Sequence, residues 1–405
     1  MAGGTLGDVA VSSFESDGNH CDAGLLVMNG PGSSVIPPMV SYLAGACAAG
    51  VGPVAFDRLD QPLYGYEYQG STVGGIANSG FTGEAVSKGF SGSTSMGPNV
   101  GVSFLGADAA GNLFVRAGSN GAPGSQVDYG LGPIAAGSTV TLHYNPAGAL
   151  VSESLPATGT LAVGALGDLF YATSVTGTLD DGCGPVGAAG VASTVLTERS
   201  STGACLWSRA LPASTVFAVD PMQNVLLAAT FSGTVDFGGG PLTSVGTSDL
   251  ALAKLDPTGL LLWEERFGAG GASVSGVSSF GATNTGGAAL SVGINGAVDF
   301  GCGAVTSSAG ATTLIANFDA MGAVVYSRVV TLVAGGVHQA GPVVDGLGGV
   351  SLAVQVKPVV DCSCTTFGDP CPTPGDFCDF FLICESCANL APYLPGNILV
   401  SRFAP

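Results

Sequence analysis

"TVDFGGGPLTSVGTSDLALAKLDPTGLLLWEERFG", residues 234–268, decides how the chain is read. It opens on an apolar residue, an aspartate and a glycine-rich turn. Two strand-like apolar runs follow, split by "DPTG", whose proline and glycine punctuate a tight turn. Much of the remaining chain is a varied copy of this stretch. A repeat at a fixed period has to be recognised before any local structure is assigned, because it sets the whole fold.

Three markers recur in order. The first is a hairpin-like unit, an apolar alternation on either side of a Gly/Asp/Asn turn. It stands at 104–118 ("FLGADAAGNLFVRAG"), 217–230 ("FAVDPMQNVLLAAT") and 343–354 ("VVDGLGGVSLAV"), with weaker copies at 161–174 and 280–293. The second is the apolar-Asp-Gly turn, at Asp128, Asp180, Asp236 and Asp299, with a degenerate copy at Asp361. The third is another hairpin, seen in "TVTLHYNPAGALVSESL", "TVLTERSSTGACLWSRAL", "DLALAKLDPTGLLLWEERF" and "TTLIANFDAMGAVVYSRVV". Residues 8–21 and 53–68 carry further copies, and "NILVSRFAP" is a truncated one.

One period thus holds four short strands, A to D, in roughly 50–60 residues, the signature of a β-propeller blade. A single small twisted sheet leaves both faces bare, so blades stack around an axis and bury one another. The fold expected is all-β, one β-propeller domain over 1–405 with four-stranded blades. C-like strands begin near residues 8, 53, 139, 194, 249, 312 and 397. They favour seven blades, with six as the alternative, in a ring closed by mixing N- and C-terminal strands. Trp207, Trp263 and Tyr326 fall on outer D strands.

The pattern of 234–268 resembles the beta-propeller repeat known as SBBP, found in exported and lipid-anchored bacterial proteins. The resemblance is good over 99–335, looser over 8–70, and interrupted after 357. It implies a propeller outside the cytoplasm and brings no catalytic residues with it.

Composition agrees with the strand reading. Of 405 residues 66 are glycine and only 10% are charged, which suits short strands and tight turns better than long helices. Mean hydropathy is positive, yet no window approaches 18 uninterrupted apolar residues, so no transmembrane segment is expected. Ten Lys plus Arg against 29 Asp plus Glu leave a net charge of −19, which repels phosphate backbones and argues against nucleic acid as a partner. The N-terminus "MAGGTLGDVAV" has neither a basic region nor a hydrophobic one, so an exported chain would have lost its leader.

Eleven cysteines make an odd number. Cys362, Cys364, Cys371, Cys378, Cys384 and Cys387 crowd into one segment, where C-x-C and C-x2-C could ligate zinc. With acidic residues, prolines and phenylalanines around them, and few lysines in the chain, a disulfide-stapled loop in an oxidising compartment is expected instead. Cys183, in a turn, and Cys205, on the following D strand, are expected to pair within one repeat.

No cofactor motif is present, and no metal site is expected. The recurrent aspartates could be calcium ligands, but no copy gathers several oxygen ligands, so they are expected to accept N–H bonds within their own turns. His20, His143 and His338 are scattered, without a G-x-S-x-G elbow or an HExxH. Glu264 and Glu265 fall on an outer strand. The segments 71–98 and 358–396, read as an irregular loop insertion and a Cys-rich insertion, lengthen a D–A and a B–C link and would share one face. The expectation is a non-enzymatic exported module that binds a protein or glycan at the cell surface, or assembles with itself, through that face. The alternative is a carbohydrate-binding, lectin-like propeller or a glycoside-active propeller enzyme, which needs two converging carboxylates.

Overall fold

The computed structural model describes residues 99–330 almost continuously, apart from 121–125, 130–131, 136, 155–158, 302 and 308–311, and only strands on either side. Among the described residues every regular element is a strand. Four successive four-stranded antiparallel sheets fill 99–330, each in the order A-B-C-D. The first runs Asn99–Ala107, Leu113–Asn120, Thr139–Tyr144 and Leu150–Ser154. The second runs Thr160–Val163, Leu169–Leu179, Val186–Arg199 and Cys205–Pro212. The third runs Val216–Val219, Val225–Phe231, Asp249–Leu255 and Leu261–Phe267. The fourth runs Ser273–Ala282, Ala288–Asn295, Thr312–Phe318 and Val324–Val330.

Alternation explains why the middle strands are apolar throughout. Val225, Leu227 and Ala229 pack into a cluster with Phe170, Leu196 and Leu211 of the preceding sheet. Leu226 and Ala228, pointing the other way, pack with Val274, Leu290 and Leu314 of the following one. Both faces of one strand are therefore core. Repetition of this sandwiching gives a protein that is all-β with neighbouring sheets stacked face to face, as the blade reading requires.

Outer strands are stitched to the next repeat. The indole of Trp207 donates to Pro257 O at 3.1 Å, and that of Trp263 donates to Ala320 O at 3.1 Å. Arg209 donates to Gly259 O at 2.9 Å and also to Phe237 O.

The apolar-Asp-Gly turns cap small hairpins between strands B and C. Asp236 Oδ1 accepts from Gly238 N (2.6 Å) and Gly240 N (3.2 Å), glycines with φ of +108° and +124° that bend the backbone around the carboxylate. Asp180 and Asp299 bind their own glycine amides in the same way. The next residue drops into the core as Tyr129, Phe237 or Phe300. In the second repeat that place is Asp181, and a different anchor appears. Cys183 and Cys205 are joined by a disulfide with Cα atoms 5.5 Å apart, and Arg199 reaches Asp181 at 3.6 Å.

Outside this block, 71–98 departs from an irregular loop. It holds the strands Val73–Asn78 and Lys88–Gly92, the second pairing with the Gln126–Asp128 hairpin through Val127 and Gly92. Asn397–Phe403 pairs with Val350–Val356 in a three-stranded sheet. Among the described residues no strand from one end of the chain pairs with a strand from the other. The insertion 358–396, with Cys362, Cys364, Cys371, Cys378, Cys384 and Cys387, lies outside the described residues, as do His20 and His338.

Candidate functional site

In each of the four described repeats a polar or charged side chain stands near the end of the C strand, just before the C–D turn. Register aligns His143, Glu198, Lys254 and Asn317 there, opposite Ser152, Trp207, Trp263 and Tyr326 on the D strands. A buried polar group needs a partner, and for Lys254 the A–B turn of its own repeat supplies one. In the third repeat Lys254 Nζ lies 2.9 Å from Asp220 Oδ2 and donates to Gly286 O of the next repeat at 2.7 Å. Asp220 also accepts from Met222 N, Asn224 N and Asn224 Nδ2, so the pair is closed on itself. Asp108 holds Asn112 in the same fashion. His143 stacks on Phe114 with centroids 4.5 Å apart. Burial pushes the His143 imidazole down, and Asp108 opposes that shift.

The second repeat reverses this chemistry. Where the others carry Asp108, Asp220 and Thr283 at the start of the turn, it has Gly164, and its acid sits four residues on, at Asp168. Where the third repeat has the ammonium of Lys254, it has the carboxyl of Glu198. Two acids thus face a place that in the third repeat holds an ion pair. Glu198 is only 2% exposed. Burial first, and then the Asp168 carboxylate, push its pKa up to about 7, against the nearby Trp207 indole N–H, which lowers it.

Gln223, from the A–B turn of the third repeat, completes the cluster. Its Nε2 donates to Asp168 Oδ2 at 3.0 Å. Its Oε1 occupies the space a side chain at 164 would need. Glu198 Oε2 and Gln223 Oε1 are buried without a hydrogen-bond partner among the described residues. Asp168 and Trp207 are half-buried, so the pair has one solvated end. A carboxylic acid that is still substantially protonated near neutrality, beside a carboxylate held by an amide donor, can give and retake a proton.

Of the residues singled out from the sequence, Cys183 and Cys205 come together as a disulfide one strand away from this cluster. Glu264 and Glu265 remain on the outer strand Leu261–Phe267, Glu264 against Gly239. Among the described residues no group of three His, Cys, Asp or Glu is placed to hold a metal ion. Glu198, Asp168 and Gln223 were not singled out. The signal was there in the aligned repeats: an acid among His, Lys and Asn, an acid displaced along a turn, and a glutamine where the turns at Gly111, Gly167 and Gly286 use glycine.

No family model matches the chain, and no characterised protein matches it in sequence. Solved structures do resemble it. A puromycin hydrolase aligns at 12% identity and TM-score 0.45, over 85% of this chain and 50% of that one. A gluconolactonase from Xanthomonas campestris aligns at 15% and 0.29, over 68% of this chain and 79% of that one. An ulvan lyase, a polysaccharide lyase, aligns at 12% and 0.34, over 68% of each chain. The chain spans about half the length of the hydrolase. These are β-propeller-like proteins, and the likeness is one of fold. All three are enzymes, which corrects the expectation of a non-enzymatic module. That expectation rested on the repeat being architectural and on the absence of familiar motifs, and neither excludes catalysis on such a fold.

Proposed function

We propose that the protein is a propeller enzyme acting by acid–base chemistry on a carbohydrate, with Glu198 as proton donor and Asp168 as its partner carboxylate. One observation carries this reading: in a single repeat, two carboxyl groups and a buried amide replace the self-neutralising pair used next door. Cleavage of a glycosidic bond asks for one protonated and one ionised carboxyl group at neutral pH. Glu198 would protonate the leaving oxygen, and Asp168, the more solvated of the two, would assist the attacking water. The net charge of −19 favours neutral over polyanionic glycans.

Turnover of neutral polysaccharides and aryl glycosides by the full chain tests the proposal. Glu198→Gln should cut kcat by about a hundredfold or more with the melting transition retained. A glycan bound but not cleaved by either protein would reduce the activity to recognition, and no glycan bound at all would end the carbohydrate reading.

We further propose that the repeats close into one ring, seven being favoured over six, of the SBBP kind, in an exported protein that meets a glycan or protein at the cell surface. The disulfide and the acidic, strand-rich chain support it. Counting blades in electron-microscopy class averages tests the ring. Intact mass with and without reductant, expected to show further disulfides inside 362–387, tests the compartment.

A further inference from the structure

Gln223 has a backbone that its side chain makes costly. Its φ is +66°, in the left-handed region, and it is only 4% exposed. The same turn position in the neighbouring repeats is Gly111, Gly167 or Gly286, with φ of +87°, +86° and +81°. Three repeats out of four therefore use the residue that suits the turn, and one does not. Strain kept at one copy of a repeat calls for a local reason.

The reason lies in what the side chain touches. It crosses into the preceding repeat, gives Asp168 Oδ2 a donor at 3.0 Å, and fills the room left open by Gly164. It therefore acts on Asp168 as a donor and occupies the space at Gly164. We propose that Gln223 is the positioning residue of the Glu198–Asp168 pair, a glutamine held in a glycine's conformation to fix the Asp168 carboxyl group in place and to close the space at Gly164. This rests on the acid–base reading for its purpose, but its test needs no substrate.

The groups around Glu198 are few. Asp168 faces it from the A–B turn, and Trp207 from the D strand. Arg199, the next residue on the strand, is engaged by Gly203 O and Asp181. Lys254 and Asp220 of the following repeat neutralise each other. Removing the Gln223 side chain should thus leave Asp168 free to turn away and open the room at Gly164 to water. Both changes lower the Glu198 midpoint.

The experiment is a pH titration of glutamate carboxyl groups by 13C NMR on the labelled full chain, with Glu198 assigned by its loss in Glu198→Gln. Wild type should titrate near neutrality. Gln223→Gly should bring the midpoint down by about one pH unit or more, roughly a tenfold change in proton affinity, while the chain melts no lower than wild type. Gly164→Ala, which pushes the amide away without touching residue 223, should lower it too. A Gln223→Gly midpoint equal to wild type overturns the proposal, as does a drop confined to unfolded protein. If Gln223→Gly does not fold, Gly164→Ala decides by the same criterion. A missing glycosidase activity would leave these midpoints unchanged, so the two proposals fail separately.

Discussion

Trp207 lies flat against Gly259 of the next repeat: a Cβ added to that glycine would stand 2.9 Å from the indole Cδ2. The contact recurs one repeat on, where a Cβ at Gly322 would meet Trp263 at 3.1 Å. It is absent one repeat back. Ser152 stands in place of the tryptophan, and Gly203 has nothing within 4 Å. An outer-strand aromatic therefore grips the C–D turn of its successor, and glycine is required there for close approach as well as for its φ of +80°. The same Trp207 faces Glu198 across the strand pair, so this grip also braces the candidate site.

Replacing these glycines separates the two requirements. Gly203→Ala should cost only the left-handed backbone penalty, about 1 kcal/mol. Gly259→Ala should cost about 1–3 kcal/mol more, because the methyl group collides with a ring that its own hydrogen bond holds in place. Urea denaturation of both variants measures the gap, and equal losses would show that the indole yields freely.

The repeat, the strand order and the Cys183–Cys205 bond were legible because they follow from local rules: alternation, turn glycines and a pairing short in sequence. The Glu198 cluster was not. Its members come from three turns and strands that meet only when sheets stack, and no spacing in the chain links residue 168 to 223. Asp181 illustrates the same limit. In "LDDGCG" it reads as one more turn acid, yet alignment with Tyr129, Phe237 and Phe300 shows that it occupies an aromatic's place. The strands in 71–98 escaped notice because glycine and serine dominate there, and such residues become strands through pairing with a partner rather than through propensity.

Lys254 offers a test of how buried charge is held. Lys254→Met leaves Asp220 buried beside an apolar group and should destabilise the fold by about 3–5 kcal/mol. Adding Asp220→Asn removes the stranded charge and should restore part of that loss. A double-mutant cycle by chemical denaturation reads the coupling. A single variant as stable as wild type would show that the backbone amides around Asp220 suffice.

Glu198 should make stability depend on pH in the sense opposite to an ordinary salt-bridged carboxylate. Its folded pKa of about 7 lies above the usual 4.5, so the folded state binds the extra proton. The folded chain thus loses relative stability as pH rises from about 4.5 through 7, by at most about 3 kcal/mol. Glu198→Gln should abolish that slope. The variant should match wild type near pH 4.5 and outlast it at pH 8 in thermal melts. If wild type is equally or more stable at pH 8, Glu198 is ionised at little cost and the acid role fails with it.

The disulfide of the second repeat stands where its sisters use an aromatic anchor. Cys183 and Cys205 close a separation of 22 residues, and a cross-link of that span contributes about 3 kcal/mol through the unfolded chain. Cys183→Ser with Cys205→Ala should lose roughly that amount, and exchange of amide hydrogens should quicken first along 179–186. If the bond substitutes for a core aromatic, adding Asp181→Phe to that pair of changes should recover part of the loss, because the ring can enter the cleft that Phe237 and Phe300 fill in the next two repeats. Arg199 would keep the Asp181 carbonyl position as acceptor and lose only the longer 3.6 Å pairing. Recovery of melting temperature, with slowed exchange along 179–186, is the expected result. A further drop would mean that the second repeat has no room for the ring and that its hairpin is held by covalent and polar contacts alone.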